Sequence, residues 1–218
     1  MNNVLGNGTI CKLGLSLAPD VAIRWGGALW EASGEFGIRD PHHQALWLSL
    51  IMQSTSGLTR FEENFTGWTA EDMARAWPTR YAEYPRDPNM GPTEAARRLA
   101  NNPRELANHL YHQRAGNEGP DDGWTFRPRY TCNLTGKWIY NQCFMAIGIP
   151  NLDDPDALLA DIPGMARVGA WYWRTRCELS VSISGGSLDA VAEAWLIATA
   201  DLLQVKEWHR RITEAMGV

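Results

Sequence analysis

The densest hydrophobic run in the chain lies between His42 and Asn64, HHQALWLSLIMQSTSGLTRFEEN. Ala45, Leu46, Leu48, Leu50, Ile51 and Met52 make its first half apolar over much of a helical circumference. That pattern predicts a buried central helix. Asp40-Pro41 starts it, because Asp is a good N-cap and Pro is tolerated at the first helical position. A Ser/Thr/Gly turn should end it, and a second element should open with the pair Glu62-Glu63. Ala18-Pro19-Asp20 opens an earlier helix reaching about Ala32, and Gly34 to Gly37 turns the chain. Thr69 to Asp72 reads as a capping box for a short helix that ends before Pro78. Tyr84 to Pro92 holds three prolines and is a loop, followed by helices over Thr93 to Ala100 and Pro103 to Gln113. Gly116 to Gly123 is a turn-rich loop, and Asp154-Pro155 and Pro163 open two further helices. Thr125 to Leu134 alternates bulky and polar residues, so it is the strand candidate, restricted by Pro128 to a short or edge piece. Ser187 to Met216 is helical in character throughout. Residues 1–17 form a weakly held start. The sum is a mainly α chain of one domain, or one domain with two lobes, and at most a small β element around 125–134.

Composition changes this picture at one residue type. The 218 residues suffice for a full core, and a hydrophobic fraction of 44% is ordinary. Eleven tryptophans are not. Carbohydrate-binding clefts use Trp platforms, yet for any single Trp burial in the core comes first, since a large ring gains most there. A net charge of −5 argues against a general nucleic-acid binder. The short basic runs at Arg97-Arg98, at Arg127 and Arg129, and at His209 to Arg211 read as solvated faces. Cys11, Cys132, Cys143 and Cys177 have no metal-ligand spacing and predict buried free thiols. His109 and His112 share a helical face with no carboxylate motif nearby, and His42-His43 falls in a first turn, so all four read as surface histidines rather than metal ligands. No metal and no cofactor is expected. No basic n-region precedes an apolar run, and no apolar stretch approaches the ~20 residues of a membrane span. The expectation is a cytoplasmic chain.

Ordered motifs then narrow the fold. GEFGIRDP, the central helix and the turn Gln53-Ser54-Thr55-Ser56-Gly57 come first. Next are Asn101 to Asn108 running through Tyr111, Arg114, Gly116 and Asn117, and Asp122-Gly123-Trp124 through Phe126 and Arg127. Leu134-Thr135-Gly136 with Tyr140, Ala170 to Trp173, and Leu188 to Val191 complete the series. Together they resemble the family-19 glycoside hydrolases, the plant-type chitinases and their relatives among bacteriophage endolysins, along nearly the whole chain. The resemblance implies one domain over residues 1–218 with a lysozyme-like α+β fold, mainly helical and two-lobed.

The same resemblance puts hydrolysis in question. Inversion needs a protonated carboxyl to donate to the leaving oxygen and a second carboxylate, roughly 6.5–9.5 Å away, to activate water. The family's acid stands in a His-Glu-Ser/Thr-Gly-Gly turn, and here Ser54 occupies that position. The base position, nine residues on, is kept as Glu63, with Glu62 beside it as a substitute carboxyl. A serine hydroxyl is too weak an acid for the step, and general acid catalysis is worth ~10²–10⁴-fold. As a nucleophile Ser54 lacks a His–Asp partner in the sequence. The family's Gly-Arg-Gly becomes Pro128-Arg129-Tyr130, its Gln becomes Asn133, and its Ile-Asn-Gly-Gly falls on Trp195-Leu196-Ile197-Ala198. Gln53, Arg129, Tyr130, Asn133, Trp195 and Leu196 are thus the residues of the former cleft, with Tyr130, Trp195 and Leu196 making it more apolar. Asp122, Trp124 and Arg129 read as scaffold whose charges satisfy backbone groups. Loss of Gly-Gly predicts one continuous helix of about 28 residues, ~42 Å long, through 196–199. The implied function is a catalytically defective, phage-derived relative that binds a host protein or a cell-wall glycan. The rival is an active peptidoglycan or chitin hydrolase with Glu63 as base and its acid moved to Glu62 or Glu35.

Overall fold

The central helix forms as its cap predicts. In the computed structural model, which describes residue 5 and residues 8–149 and 154–218, the Asp40 carboxylate accepts hydrogen bonds from the backbone N–H groups of His42 and His43 at 2.9 and 3.1 Å. Those N–H groups have no partner within the helix, so the side chain satisfies what the first turn leaves open. Residues 1–4, 6 and 7 of the expected weakly held start lie outside the described residues.

Thirteen α-helical segments are described. They are α1 (Thr9–Lys12), α2 (Pro19–Glu35), α3 (Pro41–Ser54), α4 (Ala70–Ala76), α5 (Pro78–Tyr81), α6 (Glu94–Leu99) and α7 (Pro103–Tyr111). Then come α8 (Asp122–Thr125), α9 (Lys137–Ala146), α10 (Ile162–Tyr172), α11 (Glu178–Ser184), α12 (Leu188–Ala194) and α13 (Leu202–Met216). Short 3-10 turns lie at Pro88–Met90, Tyr130–Cys132, Pro155–Ala160 and Thr199–Asp201, and a π-helical turn at Trp173–Cys177 joins α10 to α11. The chain is mainly α, as expected. Among the described residues no helix is long and apolar enough to cross a membrane.

The chain divides into two compact units. The first comprises residues 1–62, 128–134 and 139–218, the second residues 63–127 and 135–138. In the first, α3 packs against α13, and α2 packs against α10. Trp25, Leu29, Leu46, Trp47, Leu50, Ile51, Trp173 and Val205 fill its core. The Trp47 indole N–H donates to the Gly169 carbonyl at 3.1 Å. Gly169 itself is required, because a Cβ there would lie 2.4 Å from the Thr131 hydroxyl. The second unit packs Phe65, Met73, Tyr81, Leu99, Leu106 and Leu110 into its own core, with Trp68 and Trp77 stacked at 4.6 Å against it. The capping box forms as predicted: Asp72 N–H donates to the Thr69 hydroxyl, and Thr69 N–H to the Asp72 carboxylate.

Five expectations are corrected. The strand over 125–134 does not form; Arg129 makes isolated antiparallel bridges with Glu62 and Leu134 instead. Positive φ at Tyr130 (66°) and Asn133 (51°) breaks the extended path on one side, and Pro128 has no N–H to pair on the other. The fused C-terminal helix does not form either, since α12 ends at Ala194 and α13 begins at Leu202. Glu62 and Glu63 open no helix; the next one starts at Ala70. Arg127 and Arg129 are buried rather than solvated, and Cys11 is exposed while the other three thiols are buried. Nine of the eleven tryptophans are buried or half-buried; only Trp30 and Trp138 are exposed.

Candidate functional site

Ser54 ends α3, and the chain leaves the helix through a tight left-handed turn. Gly57 N–H donates to the Met52 carbonyl at 2.8 Å and Ser56 N–H to the Gln53 carbonyl at 3.3 Å. This is the paired pattern of a Schellman cap. Ser56, Gly57 and Leu58 follow one another at φ 50°, 73° and 63°. Thr55, fully buried, donates its hydroxyl to the Ile51 carbonyl and accepts from Leu58 N–H, which locks the turn. The helix, the cap and Thr55 therefore fix where Ser54 points.

Ser54 does not face solvent. It is 6% exposed, and the Trp195 indole N–H donates to its hydroxyl oxygen at 3.0 Å. Trp195 is 2% exposed and meets the Tyr172 ring edge-on at 5.2 Å. Trp195 is placed by the end of α12, which closes with a second Schellman cap. Ile197 N–H donates to the Ala192 carbonyl and Leu196 N–H to the Glu193 carbonyl, both at 2.9 Å. Leu196 takes φ 64° to do so, a conformation Asn and Gly adopt more readily than Leu, and its side chain is 81% exposed. That cap is the physical reason the C-terminal helix breaks at 196–199 without glycine.

An indole N–H can donate a proton to a hydrogen bond but cannot take one. Trp195 thus gives Ser54 no general base, and no carboxyl occupies the position. The Ser54 hydroxyl oxygen accepts from a ring N–H that has no free lone pair to take the hydroxyl proton, and both groups are buried.

Arg129, Tyr130 and Asn133 lie in the same unit. Arg129 is 1% exposed, ion-paired with Asp156 at 2.6 Å and hydrogen-bonded to the Tyr140 hydroxyl at 3.1 Å. Burial pulls its pKa down, but Tyr140 and Asp156 outweigh that and raise it, so the guanidinium stays charged. Asp156 and Tyr140 bind it inside the unit, in keeping with a scaffold role. Tyr130 has a glycine-like backbone and a fully buried ring, 5.6 Å from Tyr140 and 6.2 Å from Phe144, with its hydroxyl donating to the Pro155 carbonyl at 2.6 Å. Tyr130 and Trp195 therefore belong to the core and do not present an apolar surface; Leu196 does. Gln53 is half-buried, and Asn133 is exposed. Glu62 is exposed at the bridge with Arg129. Glu35 is held by a two-pronged ion pair from Arg167 at 2.7 and 2.8 Å.

Glu63 belongs to the second unit. It is half-buried, and the Tyr111 hydroxyl donates to its carboxylate at 2.5 Å. Burial, and then the Glu63 charge, push the Tyr111 pKa far up, so the phenol keeps its proton and remains the donor. Around it the motif residues are scaffold. Asn117, fully buried, donates to the Tyr111 carbonyl and accepts from Lys137 N–H, both at 2.9 Å. The Asp122 carboxylate accepts from the N–H groups of Glu118 and Gly119, as expected. Burial raises its pKa, but these bonds and Lys137 bring it below the ordinary value. Asn108 accepts from Trp124 N–H at 2.6 Å, and Gly123 is needed there because a Cβ would lie 2.6 Å from the Asn108 Cα. Asp156 was missed in the sequence, having no motif to mark it, and Tyr172 lay within Ala170 to Trp173 with nothing to mark its contact with Trp195. Tyr111 lay within a motif, but its spacing from Glu63 gave no sign of the contact. Among the described residues no group of three or more His, Cys, Asp or Glu is placed to hold a metal ion.

No protein-family model matches this chain. Over 134 residues it is 26% identical to a glycosyl hydrolase family 19 domain-containing protein of Haemophilus influenzae, covering 60% of each chain. The chain thus spans about 60% of the length of that curated relative. The similarity supports a distant relationship to a family-19 glycosyl hydrolase domain, and the chain itself is mainly α.

Proposed function

We propose that this chain is a binding protein built, over residues 1–218, on the scaffold of the family-19 glycoside hydrolases, and that it has given up hydrolysis. The supporting observation is the Trp195–Ser54 hydrogen bond at 3.0 Å, which fills the general-acid position with two neutral groups. A proton donor worth ~10²–10⁴-fold is gone, and the space for a carboxyl is occupied by an indole. Glu63 keeps the family's base position but accepts a phenol's hydrogen bond. The target is a cell-wall glycan or a host protein in the cytoplasm, and the origin is phage or prophage. Gln53, Glu62, Glu63, Asn133 and Leu196 are the residues of the former cleft that are not fully buried.

The rival reading is an inverting hydrolase with Glu63 as base and Glu62 or Glu35 as acid. Glu35 is engaged by Arg167, and Glu62 is exposed, so neither stands enclosed as a proton donor aimed at a leaving oxygen would. The test is hydrolysis of purified peptidoglycan and of a chitin oligomer, alongside a sedimentation assay for retention on the insoluble polymers. No cleavage with retention supports a glycan binder. No cleavage and no retention supports a protein target. Cleavage that Glu63→Gln abolishes would falsify the proposal.

A further inference from the structure

The outward face of α2 carries a repeated pattern of large and small residues. Ile23, Gly27, Trp30 and Gly34 recur at helical spacing along one stripe, and all four are exposed. Ile23 is 65% and Trp30 37% exposed. Among the described residues nothing lies within 4 Å of where a Cβ would stand on Gly27 or Gly34. Gly inside an exposed helix is unfavourable relative to Ala, and among the described residues no packing requires it. A large apolar residue followed by a hole, twice over about 16 Å of helix, is a shape that another surface can fill.

The pattern is self-complementary when reversed. Read from its other end, Ile-Gly-Trp-Gly becomes Gly-Trp-Gly-Ile. Two copies of α2 laid antiparallel about a two-fold axis between Gly27 and Trp30 place each Trp30 over the partner's Gly27. Each Ile23 then lies over the partner's Gly34. A two-fold contact is isologous, so every such pairing occurs twice. The charges follow the same symmetry. Arg24 and Glu31 lie one residue beyond Ile23 and Trp30, both exposed, on the same flank of the stripe. In the antiparallel arrangement that flank meets itself, bringing Arg24 within side-chain reach of the partner's Glu31. Arg24 is tied within its own helix only by a loose 3.6 Å pair with Asp20, its side chain 63% exposed. The opposite flank, Ala22, Gly26, Leu29 and Ser33, is buried in the chain's own fold, which fixes which side remains free.

We infer that this face of α2 binds a second copy of the chain as an antiparallel, two-fold helix pair. One helix face is smaller than a standard stable interface, so the association is weak, with a Kd on the order of 100 µM. It should weaken further at high salt, because its charged pairs are at the rim.

Sedimentation equilibrium between about 10 µM and 1 mM tests this on the whole chain. The expected result is a monomer–dimer equilibrium. Arg24→Glu alone and Glu31→Arg alone each weaken it about tenfold or more by setting like charges together. The double reversal, Arg24→Glu with Glu31→Arg, returns it to within about threefold of the native value. Gly27→Lys fills the hole and abolishes the dimer while raising the thermal midpoint, since Lys is the better helix former. A chain monomeric up to 1 mM, a dimer indifferent to Gly27→Lys, or single reversals without effect would each overturn the inference.

Discussion

At the residue scale, Leu196 holds a conformation at odds with its chemical type. Leu196 adopts φ 64°, where a side chain without local hydrogen bonding costs roughly 1–2 kcal/mol. Its side chain is almost fully exposed, so little packing offsets that cost. Leu196→Asn should therefore stabilise the chain by about 0.5–1 kcal/mol, a rise of a few degrees in the thermal midpoint, while Leu196→Ala leaves the strain in place. A fall in the midpoint for Leu196→Asn would show that the exposed side chain contributes more than its accessibility suggests. Ser54 presents the opposite case, a fitted one. Ser54→Glu puts a larger, charged group into a pocket already filled by Trp195. It should lose about 2–4 kcal/mol of stability and gain no hydrolysis. Adding Trp195→Ile, which restores the residue type the family resemblance places there, should recover part of that loss. Chemical denaturation of the two variants measures both terms, and a double variant no more stable than Ser54→Glu would mean the indole is not what excludes the carboxyl.

Between elements, the packing of α3 on α13 contains a titratable pair. The His42 and His209 rings meet edge to face with centroids 5.9 Å apart, and His209 Nε2 is buried with no hydrogen-bond partner among the described residues. Burial, and then His42, lower the His209 pKa below the ordinary imidazole value. The sign follows from which state binds the proton more readily. Below about pH 6.5 the unfolded chain takes up a proton that the folded chain resists, so stability is present above that pH and lost as the pH falls through it. Replacing the imidazole, as in His209→Phe, should remove this part of the pH dependence between about 7 and 5, which thermal melts across that range would show. An unchanged slope would place the titration elsewhere.

At the scale of the whole molecule, the chain passes repeatedly from one unit to the other. Residues 128–134 leave the second unit, contribute to the first and return at 135. They carry Tyr130, Thr131, Cys132 and Leu134, all buried, so a short segment distant in sequence from the rest of the first unit completes that unit's core. Tyr130→Gly tests that dependence cleanly, because glycine suits the φ of 66° and only the ring is lost. The expected cost is about 3–5 kcal/mol, the range for deleting a buried aromatic ring. A cost under about 1 kcal/mol would mean that the loop merely covers a core already complete without it.

The residues that sequence reasoning located well are those whose signal is local. Asp40, Thr69 and the proline-opened helices are legible because a cap needs only its next three neighbours. Ser54 and Glu63 were singled out differently, by the resemblance of the turn after the central helix and of the residue nine positions on. What surrounds them was not legible. Trp195 lies 141 residues from Ser54 and Tyr111 lies 48 from Glu63, and no periodicity encodes a contact between such positions. The break at Leu196 was missed for a related reason. Propensity favours continuing a glycine-free helix, but burying Trp195 against Ser54 and Tyr172 repays the left-handed turn that ends it. Local patterning thus determined the helices and their caps, whereas burial and long-range hydrogen bonding decided that Ser54 is enclosed by Trp195 and that Glu63 accepts from Tyr111.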